Sequence, residues 1–256
     1  MMTDDVLRIE RVCKRFGGIV AADEISLSVR AGEVVGLIGP NGSGKTTLFN
    51  LVTGILPTDS GSIFINGTRA EHMPVHDRAA LGIARTWQHT RLFVSLSLVD
   101  NLIIAAREYP GEKLTNIYFR PGAVRRVEHS ARARAMDLLA TVGLAHRADA
   151  LPTELSYGQQ KLVGLCRALM NDGHCVLLDE PMAGVSGTIF DRITAIVRAQ
   201  AAAGKAIVIV EHNVSFVRAL CSRAVFMFGG RIIAAGPLDT LIADPNLTQL
   251  YFGAAA

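Results

Sequence analysis

Little in this chain suits a disulfide framework, a membrane span or a polyanion-binding surface. The four cysteines, Cys13, Cys166, Cys175 and Cys221, are scattered through 256 residues without CxxC spacing. That pattern fits reduced, mostly buried thiols in a cytosolic protein, not a disulfide set or a zinc site. Charge of one sign is equally scarce: 26 basic residues face 23 acidic ones, for a net +3. Composition therefore gives no electrostatic footprint for nucleic acid. Long hydrophobic runs are missing too. The best, "AIVIV" at 206–210, has the length of a strand and falls far short of the roughly 20 residues a membrane helix needs. The first ten residues, "MMTDDVLRIE", carry two early acids and no apolar block, unlike a signal peptide. Internal repeats and low-complexity segments are lacking as well. What remains is half hydrophobic and 19% charged, enough for a packed core in one large α/β domain or two small ones.

Short runs rich in Val and Ile alternate with longer helical stretches. "VVGLIG" (34–39), "CVLLDE" (175–180) and "AIVIVEH" (206–212) are apolar on both faces, the pattern of parallel strands covered by helices. "VLRIERV", "ISLSVR" and "GSIFINGTR" alternate instead, which predicts half-exposed antiparallel strands, with Asn66-Gly67 as a turn. From about Ser95 to Asn171 strand signals give way to helical ones. "VEHSARARAMDLLATVGL" (127–144) predicts a helix with Met136, Leu138, Leu139, Val142 and Leu144 as its stripe and Gly143 near its end. The preceding "EYPGEKLTNIYFRPGAVRR" is broken by Pro and Gly and predicts a loop or insertion ending in a basic cluster. Arg125, Arg126, Arg132 and Arg134 are expected on a solvated helix face, or else against lipid headgroups. After His212 the chain predicts a helix, two short strands and a helical tail.

"VVGLIG" runs straight into "GPNGSGKTT", which has the form G-x-x-x-x-G-K-[ST] with Gly39, Gly44, Lys45 and Thr46 in place. Glycines let backbone N–H groups curl around phosphate oxygens, and the following helix points its positive end at the same charge. Lys45 is placed to reach the β/γ-phosphates and Thr46 to offer a hydroxyl to Mg²⁺. Asn41, Gly42, Ser43 and Thr47 complete the phosphate loop. Asp179 and Glu180 end an apolar strand. Read alone, they serve equally as a solvated strand end or as a Mg²⁺ ligand beside a residue that polarises the attacking water; the upstream phosphate loop favours the second. Gln88 in "TWQ" and His212 in "VEHN" each follow a predicted strand of the same sheet, where ligands of such sheets gather. Gln88 is a candidate to sense Mg²⁺ and the water, His212 to hold the γ-phosphate.

In order and spacing, "GPNGSGKTT", "TWQ", "LSYGQQ", "LLDEP" and "EH" resemble the ABC-type ATPases over nearly the whole chain. The resemblance implies a P-loop NTPase (RecA-like) core with an N-terminal antiparallel β subdomain, from 1–90 and 172–256, and an inserted α-helical subdomain over 91–171. "LSYGQQ" is similar to the family's signature, with Tyr157 at its third position. Ser156, Gly158 and Gln159 would then grip the γ-phosphate of ATP bound to a partner in a head-to-tail nucleotide-sandwich dimer. The same Ser also reads locally as an ordinary helix cap. Phe16 matches the aromatic that stacks on adenine. "MAGVS" matches the loop that communicates across the dimer, with Ser186 where many members have Asp.

"IARTWQHTRLF", "SLSLVDNLIIAA" and "PNLTQLYFG" resemble the larger ATPase subunit of branched-chain amino acid importers, and urea, amide and lipopolysaccharide systems share parts of the pattern. The resemblance implies ATP hydrolysis coupled to transmembrane transport, with ATP and Mg²⁺ as ligands. It implies polytopic permease subunits and a second ATPase, identical or related, as partners, and indirectly an external solute-binding protein. It places the chain peripherally on the cytoplasmic face of the membrane. Leu92, Phe93, Leu96 and Leu98 are candidates to line a groove for a permease helix, or else core. A soluble ABC ATPase of DNA repair or translation is disfavoured, because only about 110 residues separate Lys45 from Leu155 and there is one phosphate loop. A small-molecule kinase leaves "LSYGQQ" and His212 unexplained.

Overall fold

The computed structural model describes residues 5–88, 91–107, 118–119, 121–185 and 187–252. Most of the expected insertion at 108–126, and Ser186 entirely, lie outside the described residues. In chain order the strands are β1 (Asp5–Phe16), β2 (Ile19–Arg30), β3 (Val34–Ile38), β4 (Ser60–Ile65), β5 (Thr68–Arg69), β6 (Ile83–Arg85), β7 (Cys175–Asp179), β8 (Ala206–Val210), β9 (Arg223–Phe228) and β10 (Arg231–Gly236). The α-helices are α1 (Lys45–Thr53), α2 (Val75–Ala80), α3 (Leu98–Ile103), α4 (Pro121–Thr141), α5 (Tyr157–Leu169), α6 (Thr188–Ala202), α7 (Val214–Leu220), α8 (Leu238–Ala243) and α9 (Pro245–Phe252). They fall into two compact units. One is drawn from Met1–Arg85, Gly173–Ala183 and Thr194–Ala256, the other from Thr86–Asp172 and Gly184–Ile193.

The first unit holds both sheets. β1 and β2 form a hairpin in which Phe16 faces Ile19, and β4 and β5 extend it to a four-stranded antiparallel sheet in the order β2-β1-β4-β5. Asn66 (φ 48°) and Gly67 (φ 75°) are both left-handed, as a two-residue hairpin turn between twisted strands requires. The second sheet runs β10-β9-β3-β8-β7-β6, parallel except for β10 at its edge. Every residue of β3, β7 and β8 is buried, because an apolar strand at the centre of a parallel sheet is covered on both faces. Each aliphatic side chain so buried contributes about 1.5–3 kcal/mol. Leu7, Ile9 and Ile63 of the antiparallel sheet share one core with Val35, Leu37 and Val208 of the parallel one. A second core joins Ile38, Val217, Ala224 and Phe226 to Leu238, Leu241 and Leu247 of the C-terminal helices.

A charged side chain closes the first of these cores. Arg78, 1% exposed, donates from its guanidinium to the backbone oxygens of Leu51, Val52, Met73 and Glu71. Two of those carbonyls belong to the last turn of α1, where intrahelical N–H donors run out, although Leu51 O also accepts from the Gly54 N–H at 3.3 Å. The five-donor fork satisfies them while its own charge is dispersed over four acceptors.

The second unit, described by itself, is helical. Ser97 caps α3, accepting from the Asp100 N–H at 3.1 Å. Asn101, fully buried, knits the segment before it: its Oδ1 accepts from Phe93 N at 2.8 Å and its Nδ2 faces the Phe93, Leu96 and Ser97 oxygens at 2.9–3.0 Å. Leu98 is fully buried and Phe93 half-exposed, so Leu98 is a core residue and cannot line a groove. α4 begins at Pro121, earlier than its stripe predicts, because proline is tolerated where a helix's first N–H groups have no partner. "PGAVRR" is therefore helix, not loop. Its buried positions include Ala131, Ala135 and Leu139, while Met136 and Leu138 are only partly buried. Small residues on that face permit close helix contact. Arg134 is partly exposed and also makes specific contacts: it donates to Leu169 O at 3.0 Å and pairs with Asp172 at 2.8 Å, tying α4 to the end of α5. Arg125, Arg126 and Arg132 are exposed, as expected. Cys166 here, and Cys175 of β7 in the first unit, are buried free thiols, each pushed up to about 12 by burial.

Candidate functional site

In the first unit, the carboxyl ends of β3, β7 and β8 lie side by side on one edge of the sheet. The chain leaving β3 is the glycine-rich loop. Gly39 (φ 148°) and Gly44 (φ 104°) have backbone conformations that L side chains rarely adopt, and a Cβ would meet Met227 O at 2.1 Å and Ala21 O at 2.4 Å respectively. Gly44 ends the loop as the left-handed N-cap of α1, with no side chain capping that terminus. The N–H groups of α1's first turn are thus left to face an anion.

Lys45 folds back over this loop. Its Nζ donates to Gly39 O at 2.7 Å, Pro40 O at 2.8 Å and Ser43 Oγ at 3.3 Å. Burial lowers its pKa, while the nearby Glu180 and Asp179 carboxylates pull it back up. Ser43 is buried, Asn41, Gly42 and Thr46 are exposed, and Thr47 is partly buried. Phe16, at the end of β1, is 45% exposed with the Lys14 ammonium 5.6 Å from its ring centre.

β7 ends in Asp179, whose Oδ2 accepts from Arg85 Nη2 at 2.8 Å. The other Arg85 nitrogen, Nη1, donates to Asn50 Oδ1 at 2.6 Å. Both members of the ion pair are 5% exposed. Glu180 follows in a left-handed conformation (φ 47°), its N–H bonded to Val210 O at 2.9 Å. A non-glycine residue there is strained, and the turn sends the Glu180 carboxylate toward β8. His212, just past β8, has its Nε2 3.5 Å from Glu180 Oε1, and its Nδ1 lies 3.3 Å from the Tyr251 hydroxyl.

Between them sits a carboxylate that motif spacing did not single out. Glu211 is 3% exposed and accepts backbone N–H groups from Met182 at 2.6 Å, His212 at 3.0 Å and Asn213 at 3.2 Å. It stitches the turn after β7 to the turn after β8. Burial raises its pKa, partly offset by those three bonds. Arg85 was missed as well. The available signals were an arginine and an acid, each at the end of an apolar run; nothing in their spacing marks them as partners.

The structure thus brings Asn41–Thr47, Asp179, Glu180 and His212 together within the first unit. Phe16 lies in the first unit too, at the end of β1, and the remaining candidates belong to the second. Gln88 is exposed in the segment after β6, and its carbonyl accepts from Lys161 Nζ at 3.3 Å. Ser156 and Gln159 form a reciprocal capping box at the start of α5: Gln159 N to Ser156 Oγ at 3.3 Å, Ser156 N to Gln159 Oε1 at 3.0 Å. The local reading of that Ser as a cap is therefore correct. Gly158 has a packing reason of its own, since a Cβ there would meet Ile189 Cγ1 at 3.2 Å and Val185 Cγ1 at 3.4 Å.

A glycine-rich loop and a strand-end acid pair converge on one sheet edge, and residues 22–183 match the family model described as ABC transporter. The chain belongs to the ABC transporter family. Its ATPase cassette has full-length relatives. It is 31% identical to the high-affinity branched-chain amino acid transport ATP-binding protein BraF of Pseudomonas aeruginosa, over 99% of this chain and 100% of the relative. Against the corresponding Escherichia coli protein, LivG, the identity is 30% over the same shares. Among solved structures, a nucleotide-free ATP-binding cassette from an ABC transporter superposes with a TM-score of 0.83 at 33% identity, covering 97% of this chain and 99% of that one. The ADP conformation of such a cassette gives 0.83 at 33%, covering 98% and 100%.

Proposed function

We propose that this ABC ATPase is the cytoplasmic motor subunit of an importer for branched-chain amino acids, working as a head-to-tail dimer with ATP between the subunits. The observation that carries the hydrolytic part is the grouping of the glycine cradle, Glu180 and His212 at the ends of β3, β7 and β8. Likeness to importer ATPases over whole chains supports the substrate class. Adjacent readings, urea, amide or lipopolysaccharide systems, differ in the transported solute and not in this chemistry.

Entering triphosphate oxygens would replace the Gly39 and Pro40 carbonyls as partners of Lys45, which already lies in the loop. A charge-assisted bond to phosphate is the stronger of the two. Phe16 would stack on the base. Mg²⁺ fits the donor set: Thr46 offers an exposed hydroxyl and Asp179 a carboxylate, both hard oxygen ligands. By resemblance Gln88 is the third residue assigned to the metal and the water. When bound, Mg²⁺ would supply charge neutralisation on the β- and γ-phosphates. Glu180 takes the proton of the attacking water as general base. His212 donates to the γ-phosphate, and Ser156, Gly158 and Gln159 of a partner close on the same group.

Purification of the tagged chain from native membranes in mild detergent tests the transport reading. Two distinct polytopic subunits with a second, related ATPase are the expected companions. Recovery with ribosomes or DNA ends and no membrane protein would sink it.

A further inference from the structure

The C-terminal stretch "PNLTQLYFG" marks the chain's resemblance to one branch of the family, yet nothing in the hydrolytic machinery so far uses it. Its helix α9 carries Tyr251 into contact with His212. The tyrosine ring is half-buried, edge-on to Phe226 with centroids 6.1 Å apart, and it lines an apolar cavity with Ile38, Val217, Leu241 and Leu247. Its hydroxyl leaves that apolar wall and ends 3.3 Å from His212 Nδ1 and 3.5 Å from the His212 carbonyl oxygen. On the far side of the imidazole, Nε2 stands 3.5 Å from the Glu180 carboxylate.

One tautomer of the neutral ring suits both side-chain contacts, with the Tyr251 proton directed to Nδ1 instead of the His212 carbonyl. An ionised carboxylate only accepts hydrogen bonds, so the nitrogen facing Glu180 carries hydrogen. In the neutral ring the other nitrogen, Nδ1, is then an acceptor, and its partner must be a donor. Tyr251 is that donor. Burial and the nearby Glu211 raise its pKa, which keeps the hydroxyl protonated. Without it, a half-turn of the ring, or the Nδ1–H tautomer, would leave Nε2 unable to donate.

We propose that Tyr251 is a positioning residue for ATP hydrolysis: its hydroxyl, donating to Nδ1, locks the orientation and Nε2–H tautomer of His212, so that the C-terminal helix completes the nucleotide site. This rests on the role given to His212 above. It makes the tail of the cassette part of the hydrolytic apparatus, not a passive cover on the second core.

The test compares full-length wild type, Tyr251→Phe and His212→Ala. Phenylalanine keeps the ring against Phe226 and the cavity and removes only the hydroxyl. Two quantities are read: steady-state kcat and KM for MgATP, and the side-chain ¹⁵N spectrum of His212 in the nucleotide-free protein. Tyr251→Phe is expected to lower kcat about three- to tenfold, the worth of one hydrogen bond, with KM unchanged. The imidazole nitrogens should move from a single Nε2–H tautomer to a mixture. If Tyr251→Phe keeps wild-type kcat while His212→Ala is inactive, the inference is wrong and the role of His212 stands. A fall in kcat with an unaltered imidazole spectrum, or an effect on KM alone, also overturns it, since the ring would then act through packing or binding. If His212→Ala hydrolyses ATP at the wild-type rate, the role of His212 falls and takes the inference with it.

Discussion

Arg85 and Asp179 offer the sharpest test of how the site is held before nucleotide arrives. Replacing Arg85 with Met removes the guanidinium that pairs with Asp179 at 2.8 Å and with Asn50 at 2.6 Å and that lies 5.4 Å from the centre of the Phe49 ring. Both ion-pair members are 5% exposed, so solvent cannot take over from the lost partner. Breaking one side of a buried pair costs about 3–5 kcal/mol, most of it the stranded charge. For a chain of this length each kcal/mol is worth about 2–4 °C in midpoint, so Arg85→Met should unfold about 6–20 °C below wild type. Arg85→Lys keeps the charge but cannot bridge two acceptors with a planar fork, and should fall between. Asp179→Asn removes the charge that Arg85→Met strands. The double variant Arg85→Met/Asp179→Asn should therefore be less destabilised than the sum of the singles, by at least about 1 kcal/mol. Chemical denaturation of the four proteins closes the cycle. An Arg85→Met cost below about 1 kcal/mol, or a coupling near zero, would refute the claim that this pair holds the end of β7.

Three further outcomes follow from other contacts. Arg78→Met should lose about 3 kcal/mol or more in denaturant unfolding, because four backbone acceptors lose their shared donor; a change under 1 kcal/mol would contradict the capping role. Gly39→Ala should cost about 1–3 kcal/mol from its strained φ alone and also weaken ATP binding measured by titration; unchanged affinity would mean the loop tolerates a side chain. Glu211 has its folded pKa raised above the ordinary 4.5, so its unfolded form sheds the proton first and wild type loses stability as pH rises from about that value. Glu211→Gln does not titrate there; relative to it, wild type should grow less stable with rising pH, and a flat difference would show that Glu211 is not perturbed.

The parts most legible in the sequence were those decided by neighbours in the chain. β3 and β8 stand out because they carry no polar side chain, and β7 because four apolar residues lead to Asp179; Asn66-Gly67 states its own turn. The glycine-rich loop is readable because it is one contiguous stretch. β1 and β2 were only half readable. Arg11 (φ 44°) and Glu24 (φ 51°) sit at irregularities, and register shifts between Ile9 and Arg15 break the alternation, so two twelve-residue strands look like shorter ones. On α4 the buried face is marked by Ala131 and Ala135, and alanine is too common on exposed helix faces to signal burial. Arg78, Arg85, Glu211 and Tyr251 were the least visible, since each matters through a partner brought close only by the fold. Glu211 stood beside His212 in plain sight, but an acid next to a candidate ligand does not announce that it will bind three backbone amides.

The central claim is that this chain hydrolyses ATP with Glu180 as base inside a nucleotide-closed dimer. Glu180→Gln tests it most directly, with ATP turnover, ATP affinity and mass in solution measured on one preparation. We expect wild-type affinity, a loss of turnover of about a hundredfold or more, and conversion from monomer to dimer when ATP and Mg²⁺ are added. Turnover at the wild-type rate, or a mass indifferent to ATP, would contradict the account.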